Sequence, residues 1–164
     1  MNNCLDQNIN SLIDWMDEIN YDMFSLSIGH NREETNINIA ACIANKWIET
    51  QNWVRSEGGY ILNVVDWPES AASWLRQAKQ LNQDNPDAWV IISSFKSAMQ
   101  ILQRLSAEKN WIPERTFCLF SSNCEMMNKI TPWAGLNGLK GLLTNGRRWI
   151  IEEEKLIIIP KGRK

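Results

Sequence analysis

The sequence predicts an α/β protein: a three-layer, doubly wound, mainly parallel five-stranded sheet with an N-terminal helix and a C-terminal β-hairpin. Three observations carry that expectation. Four short apolar runs stand at Tyr21–Gly29, Gly59–Trp67, Asp87–Ser94 and Arg115–Ser122. Each is followed by a stretch with helical spacing, the alternation that buries a parallel sheet between two layers of helices. Glycine and proline breaks punctuate the alternation at Gly58-Gly59, Asn85-Pro86-Asp87 and Pro113.

Residues 1–20 read as an amphipathic helix, with Leu12, Ile13, Trp15, Met16 and Ile19 at helical spacing. It packs on a sheet face or edge, or else docks a second subunit. The first strand ends at Gly29-His30-Asn31. A polar segment, Arg32–Asn36, leads into a helix with Ile39, Ala40, Ile43, Ala44, Trp47 and Ile48 on one side. After the second strand, Asp66-Trp67-Pro68-Glu69 has the form of a capping box. It predicts a helix with Ala71, Trp74, Leu75, Ala78 and Leu81 on one stripe. The helix after the third strand carries Ala98, Ile101, Leu102 and Leu105 at the same spacing.

Beyond Ser122 the pattern weakens. Asn123–Trp133 reads as a short helix and Leu139–Thr144 as a fifth strand. Trp149–Ile151 and Leu156–Ile159 form a hairpin at the sheet edge, with Glu152–Lys155 as its turn, and Pro160 and a basic tail, Lys161–Lys164, end it. No linker or repeat interrupts the chain. The expectation is one domain over 1–164: helix 1–20, core 21–144, hairpin and tail 145–164.

Composition narrows the function classes. The chain has 164 residues and a formal net charge of −2, which argues against a general nucleic-acid binder. No apolar stretch is long enough to span a bilayer, and the N-terminus lacks a signal-peptide pattern, so a cytoplasmic location is expected. Cys4, Cys42, Cys118 and Cys124 form no CxxC pair and read as free thiols. The nine tryptophans are the compositional oddity. Core packing explains most of them. Those at element ends, Trp53, Trp67, Trp111 and Trp133, leave room for an interface role.

In a parallel sheet, ligands collect at the carboxyl ends of the strands. Candidate ligand residues there are Asp66, Ser93, Ser94, Lys96, Ser121, Ser122 and Asn123, with His30, Asn31 and Glu69 nearby. Helix N-termini attract anions, and Ser and Lys add donors, so a small anionic ligand such as a nucleotide is one expectation. Helix capping explains the same serines and asparagine without a ligand.

No catalytic set emerges. Ser93 and Lys96 match an SxxK spacing but lack the companion motifs of such enzymes. His30 is the one histidine, and no GxSxG elbow accompanies it, so a satisfied loop histidine is expected. Phosphate-binding glycine loops are missing, and the histidine and cysteines offer no zinc-site spacing. Neither a cofactor nor a metal is expected. Trp15, Trp133, Trp149, Arg147 and Arg148 are the candidate contact residues for a partner protein or a second copy.

From Tyr21 to Thr144 the order of elements resembles a response-regulator receiver domain, with Asp87–Ser94 as third strand, Arg115–Ser122 as fourth and Gly138–Leu143 as the fifth-strand region. The resemblance implies a flavodoxin-like sheet. A working receiver carries an acidic pair after its first strand, a phosphoacceptor Asp after its third and a Lys after its fifth. This chain has Gly29-His30, Ser93-Ser94 and Thr144 there, so the resemblance is to a degenerate, non-phosphorylated receiver. Ile39 through Ser94 also resembles one lobe of a type I periplasmic-binding or repressor-type sensor. The reading that follows is a non-catalytic regulatory or assembly domain acting through protein binding. The alternative is a small-molecule or nucleotide sensor or enzyme using the strand-end pocket.

Overall fold

A computed structural model describes residues 3–19, 22–51, 55–71, 73–121 and 133–160. In chain order the elements are α1 (Asn3–Ile19), β1 (Ser25–Asn31), α2 (Glu34–Glu49), β2 (Tyr60–Trp67), α3 (Leu75–Leu81), β3 (Ala88–Ser93), α4 (Phe95–Leu105), β4 (Thr116–Phe120), β5 (Lys140–Leu142), β6 (Arg148–Glu152) and β7 (Lys155–Ile158). The strands form one seven-stranded sheet in the order β2-β1-β3-β4-β5-β6-β7. The first five of these run parallel, and β6 and β7 are antiparallel. The expected count of five therefore covers only the parallel strands; the hairpin continues the same sheet.

Alternation along the strands sorts the core into two layers. In β3, Ala88, Val90 and Ile92 join α1 and α2 on one face, while Trp89 and Ile91 join α3 and α4 on the other. After β5 the chain turns back through Gly146 into β6, where Leu143 N donates to Arg147 O at 2.9 Å. No helix returns along that route, so α1 covers the face instead. Its Ile9, Leu12, Ile13, Trp15 and Met16 are buried, and Trp15 meets Phe117 of β4 edge-on at 5.9 Å. Most of the apolar stripe of the N-terminal helix is thus spent on its own sheet, with Ile19 at its end 39% exposed.

The tryptophans are likewise core residues. Trp15, Trp133 and Trp149 are only 4%, 2% and 0% exposed, which removes them as surface contacts. Trp67 and Trp111 are also buried, and Trp53 lies outside the described residues. Three rings gain their room from glycines. A Cβ on Gly29 would stand 2.6 Å from the Trp67 ring, on Gly59 2.3 Å from that of Trp47, and on Gly141 2.7 Å from that of Trp149. Large rings over absent side chains fill the volume between sheet and helix at interior density.

Two local expectations fail. The capping box does not form: Asp66 lies inside β2, and α3 starts only at Leu75 with Trp74 before it. His30 is not in a loop but in β1, buried, with Nδ1 2.6 Å from the Asn31 carbonyl. The expected helix 123–133 lies outside the described residues, apart from Trp133. Cys42 and Cys118 are free, and burial pushes the Cys118 thiol far above its ordinary range.

Lys140 of β5 is buried, its ammonium donating to the Glu114 carbonyl and lying 5.3 Å from the centre of the Phe117 ring. Burial lowers its pKa from 10.5 to about 8, against the opposing pull of Glu114. The unfolded chain then binds more protons than the folded one between those two values, so stability rises with pH across that window. The gap corresponds to about 3 kcal/mol at most. Urea midpoints at neutral pH and at about pH 10 should show this gain. The Lys140→Met protein, which has no ammonium to discharge, should lack it.

Candidate functional site

The parallel strands end together on one rim, as the sequence anticipates. β1 delivers Asn31, β2 delivers Trp67 followed by Glu69, and β3 delivers Ser93 followed by Ser94 at the head of α4. Ser94 caps α4, its hydroxyl accepting from Ser97 N at 3.3 Å. Sequence reasoning reads Ser94 in this role because Ser at that position satisfies an orphan amide.

These residues bond chiefly to one another. Asn31 Nδ2 donates to Glu69 Oε2 at 3.1 Å, and Asn36 Nδ2 donates to Asn31 Oδ1 at 2.7 Å. The Ser94 hydroxyl donates to the other Glu69 oxygen. Ser93 and Ser97 share a hydroxyl–hydroxyl bond, and Trp67 Nε1 donates to Ser97 Oγ at 3.3 Å. Ser93 and Ser97 are wholly buried. The result is a closed polar network joining β1, β2, β3, α2 and α4.

The other predicted site residues do not join it. Asp66 pairs at the surface with Arg32, Oδ2 to Nε at 3.4 Å. Lys96 is exposed on the first turn of α4. Ser121 is exposed, and its amide donates to Ser93 O at 3.0 Å. Ser122 and Asn123 lie outside the described residues. Of the two candidate arginines, Arg148 is engaged inside the chain. Its guanidinium contacts Glu18 at 3.1 Å and sits 4.9 Å from the Trp15 ring. Arg147 is half-buried beside the β5–β6 turn.

The chemistry open to this network is limited. Ser93 faces another hydroxyl rather than a base. Ser94 faces the Glu69 carboxylate, and among the described residues no histidine or lysine side chain bonds either serine. Glu69 also brings negative charge in front of the α4 N-terminus, where an anionic ligand would have to lie. Among the described residues no three His, Cys, Asp or Glu side chains cluster in a way that could hold a metal ion.

On the α1/α2 side of the same rim lies a separate cavity of about 240 Å³. Ile9, Ile39, Ile92 and Leu142 line it, with Asn36 and Ser121 at its margin. Neither this cavity nor the Asn31–Asn36 pair is legible in the sequence. Asn36 is read there as part of a polar lead-in, and only the fold turns it back onto Asn31. Glu69 is visible as a polar strand-end residue, but its capping-box reading points it along its own chain instead of across to β1 and α4.

Among the described residues, fold and rim define an α/β chain with a mostly parallel sheet whose carboxyl edge carries its own hydrogen-bond network. No protein-family model matches the chain, and no curated protein matches it in sequence. Among the described residues no helix is long and apolar enough to cross a membrane.

Proposed function

We propose that this protein is a non-catalytic regulatory or assembly domain that acts by binding another protein chain. One observation carries the reading. Among the described residues no strand pairs with the outer side of β2, and it exposes Tyr60, Leu62 and Val64 at 61%, 39% and 57%. Edge strands are normally blunted by charged residues, proline, a bulge or a covering element; β2 has neither lysine nor proline, and its blunting features are a register shift at Leu62 and Asp66 near its end. An uncovered apolar edge is a ready site for strand addition.

The strand order supports a flavodoxin-like, receiver-like lineage, because the parallel part follows β2-β1-β3-β4-β5. In that lineage the end of β3 would bear the phosphoacceptor. Here Ser93 is buried against Ser97, and Glu69 faces Ser94. This supports a degenerate receiver whose rim serves to hold strands and helices together. A cytoplasmic setting fits the free thiols.

A second reading has its own observation, the rim cavity. Its apolar lining suits a small, largely uncharged molecule better than the nucleotide or phosphate the sequence suggests. A thermal-shift screen of small uncharged molecules separates the readings, while inorganic phosphate and nucleotides should leave Tm unchanged under either. A ligand at a hundred times its Kd would add about 2.7 kcal/mol. Such a shift with an uncharged molecule, lost when Ile39→Phe fills the cavity, would overturn the protein-binding reading in favour of a small-molecule sensor.

A further inference from the structure

We propose that α3 and α4 form a docking face for an acidic segment of a partner protein. The inference rests on the protein-binding reading above and names the chemistry of the partner.

Charge is divided between the two helical layers. α1 and α2 together hold six carboxylates and one lysine, whereas α3 and α4 hold four cations and no carboxylate. Burial dictates which way those cations point. α4 turns Ala98, Ile101, Leu102 and Leu105 into the core, and α3 turns Ala78 and Leu81, so the polar positions between them go to solvent. Arg76 and Lys79 of α3 and Lys96 and Arg104 of α4 are all exposed. Gln80, Gln100 and Gln103 are exposed among them. The two helices are in contact, and their outer surfaces make one field of cations and amides.

Elsewhere the chain neutralises four of its own arginines. Arg32, Arg55, Arg115 and Arg148 each reach a carboxylate within 3.4 Å. Arg76, Lys79, Lys96 and Arg104 form no ion pair among the described residues. The carboxylates nearest in the chain follow the two helices instead of lying on them: Asp84 after α3, and Glu108, beside Lys109, after α4. Glu69 is taken by Asn31 and Ser94.

Unpaired cations on one side of a fold attract a partner of opposite charge and speed its approach. The glutamines between them both donate and accept, which suits the mixed carboxylates and amides of a polypeptide. An unbroken row of phosphates calls for a basic surplus, and this chain has a net charge of −2. A membrane calls for apolar anchors, and Leu75 is the one large apolar side chain exposed on α3 or α4. A second copy offers little to this face: on its acidic layer Asp17 and Glu18 are already paired, and Asp14 and Glu49 border Lys46. α3 also borders the sheet edge. Gln80 and Gln83 line both the groove on α3 and the groove along β2, so a partner at the edge meets the basic face.

The test measures binding of fluorescein-labelled poly-L-glutamate to the full chain by anisotropy, beside a single-stranded DNA oligonucleotide and phosphatidylserine vesicles. Polyglutamate should bind at low salt, more tightly than either, and should release at ~0.5 M salt, where screening is short-ranged. Arg76→Gln/Lys79→Gln should weaken it by about tenfold or more. Lys46→Gln/Lys155→Gln removes the same charge from other parts of the surface and should change it less than about twofold. None of these four side chains is buried, so both variants should keep the wild-type Tm. Absence of polyglutamate binding, equal weakening by the two variants, or tighter binding of DNA or vesicles would overturn the proposal. So would a wild type that self-associates at low salt and is dissociated by Arg76→Gln/Lys79→Gln. The broader reading is measured apart from this, by exchange of the β2 amides in a lysate, which asks nothing of the partner's charge.

Discussion

Gly141→Ala is expected to lower stability by about 3 kcal/mol or more, at the upper end of what overpacking costs. The reason is the place of Gly141 in the sheet. It lies between β4 and β6, opposite Cys118 on one side and Trp149 on the other. An added Cβ would fall 2.2 Å from the Cys118 carbonyl oxygen and 2.7 Å from the Trp149 ring. The carbonyl is backbone and cannot rotate aside. The Trp149 ring is held by Phe120, stacked at 5.5 Å, and by Trp133 at 6.3 Å. Both escapes are closed, so the β4–β5 pairing itself has to open. In urea, the midpoint should fall while the slope stays that of the wild type. A midpoint unchanged within error would show that the aromatic cluster yields far more readily than its packing implies.

Asp17→Ala is expected to cost about 2 kcal/mol, because it removes one charged hydrogen-bond partner of a buried guanidinium. Arg55 is 3% exposed. Its Nη1 contacts Asp17 Oδ1 and the Met23 carbonyl, each at 3.0 Å, and its guanidinium lies 4.0 Å from the centre of the Trp47 ring. The pair fastens the end of α1 to the segment before β2. Breaking it acts on two elements that no strand connects. Unfolding free energies of the wild type, Asp17→Ala and the double variant Asp17→Ala/Arg55→Met measure the effect. The double variant should recover part of the loss, since methionine buries without needing a counter-charge. A double variant worse than Asp17→Ala would mean that Arg55 contributes chiefly through its other contacts.

These two sites also mark where sequence reading stops. The strands and the order of helices were legible because apolar runs and helical spacing are local signals. β3 and β4 match their apolar runs to within two residues at either end, and the hairpin falls where Glu152–Lys155 suggests a turn. What the chain does at long range was not legible. Nothing local shows that α1 occupies the face left open when β5 turns back into β6, or that Arg55 reaches Asp17. Core packing was the expectation for most tryptophans, but Trp15, Trp133 and Trp149, read as contact residues, are buried as well. For Trp47, Trp67 and Trp149 the room comes from Gly59, Gly29 and Gly141, neighbours that only the fold reveals. At the rim, Glu69 carries a capping signal that the fold overrides. Once Trp67 ends β2, the carboxylate finds Asn31 and Ser94 across the strands, and α3 begins later without it. The open edge was hidden for the same reason: β2 reads like any interior strand until the sheet order places it last.

The central claim is that this protein works through the β2 edge and not through its closed rim. Amide hydrogen exchange, measured for the purified chain alone and with a lysate of its source cells added, tests it most directly. The account predicts that outward-facing amides within Tyr60–Trp67 slow markedly in the lysate, while those of Ser94–Ser97 keep one rate. Protection that appears at Ser94–Ser97 and not along β2 would contradict it.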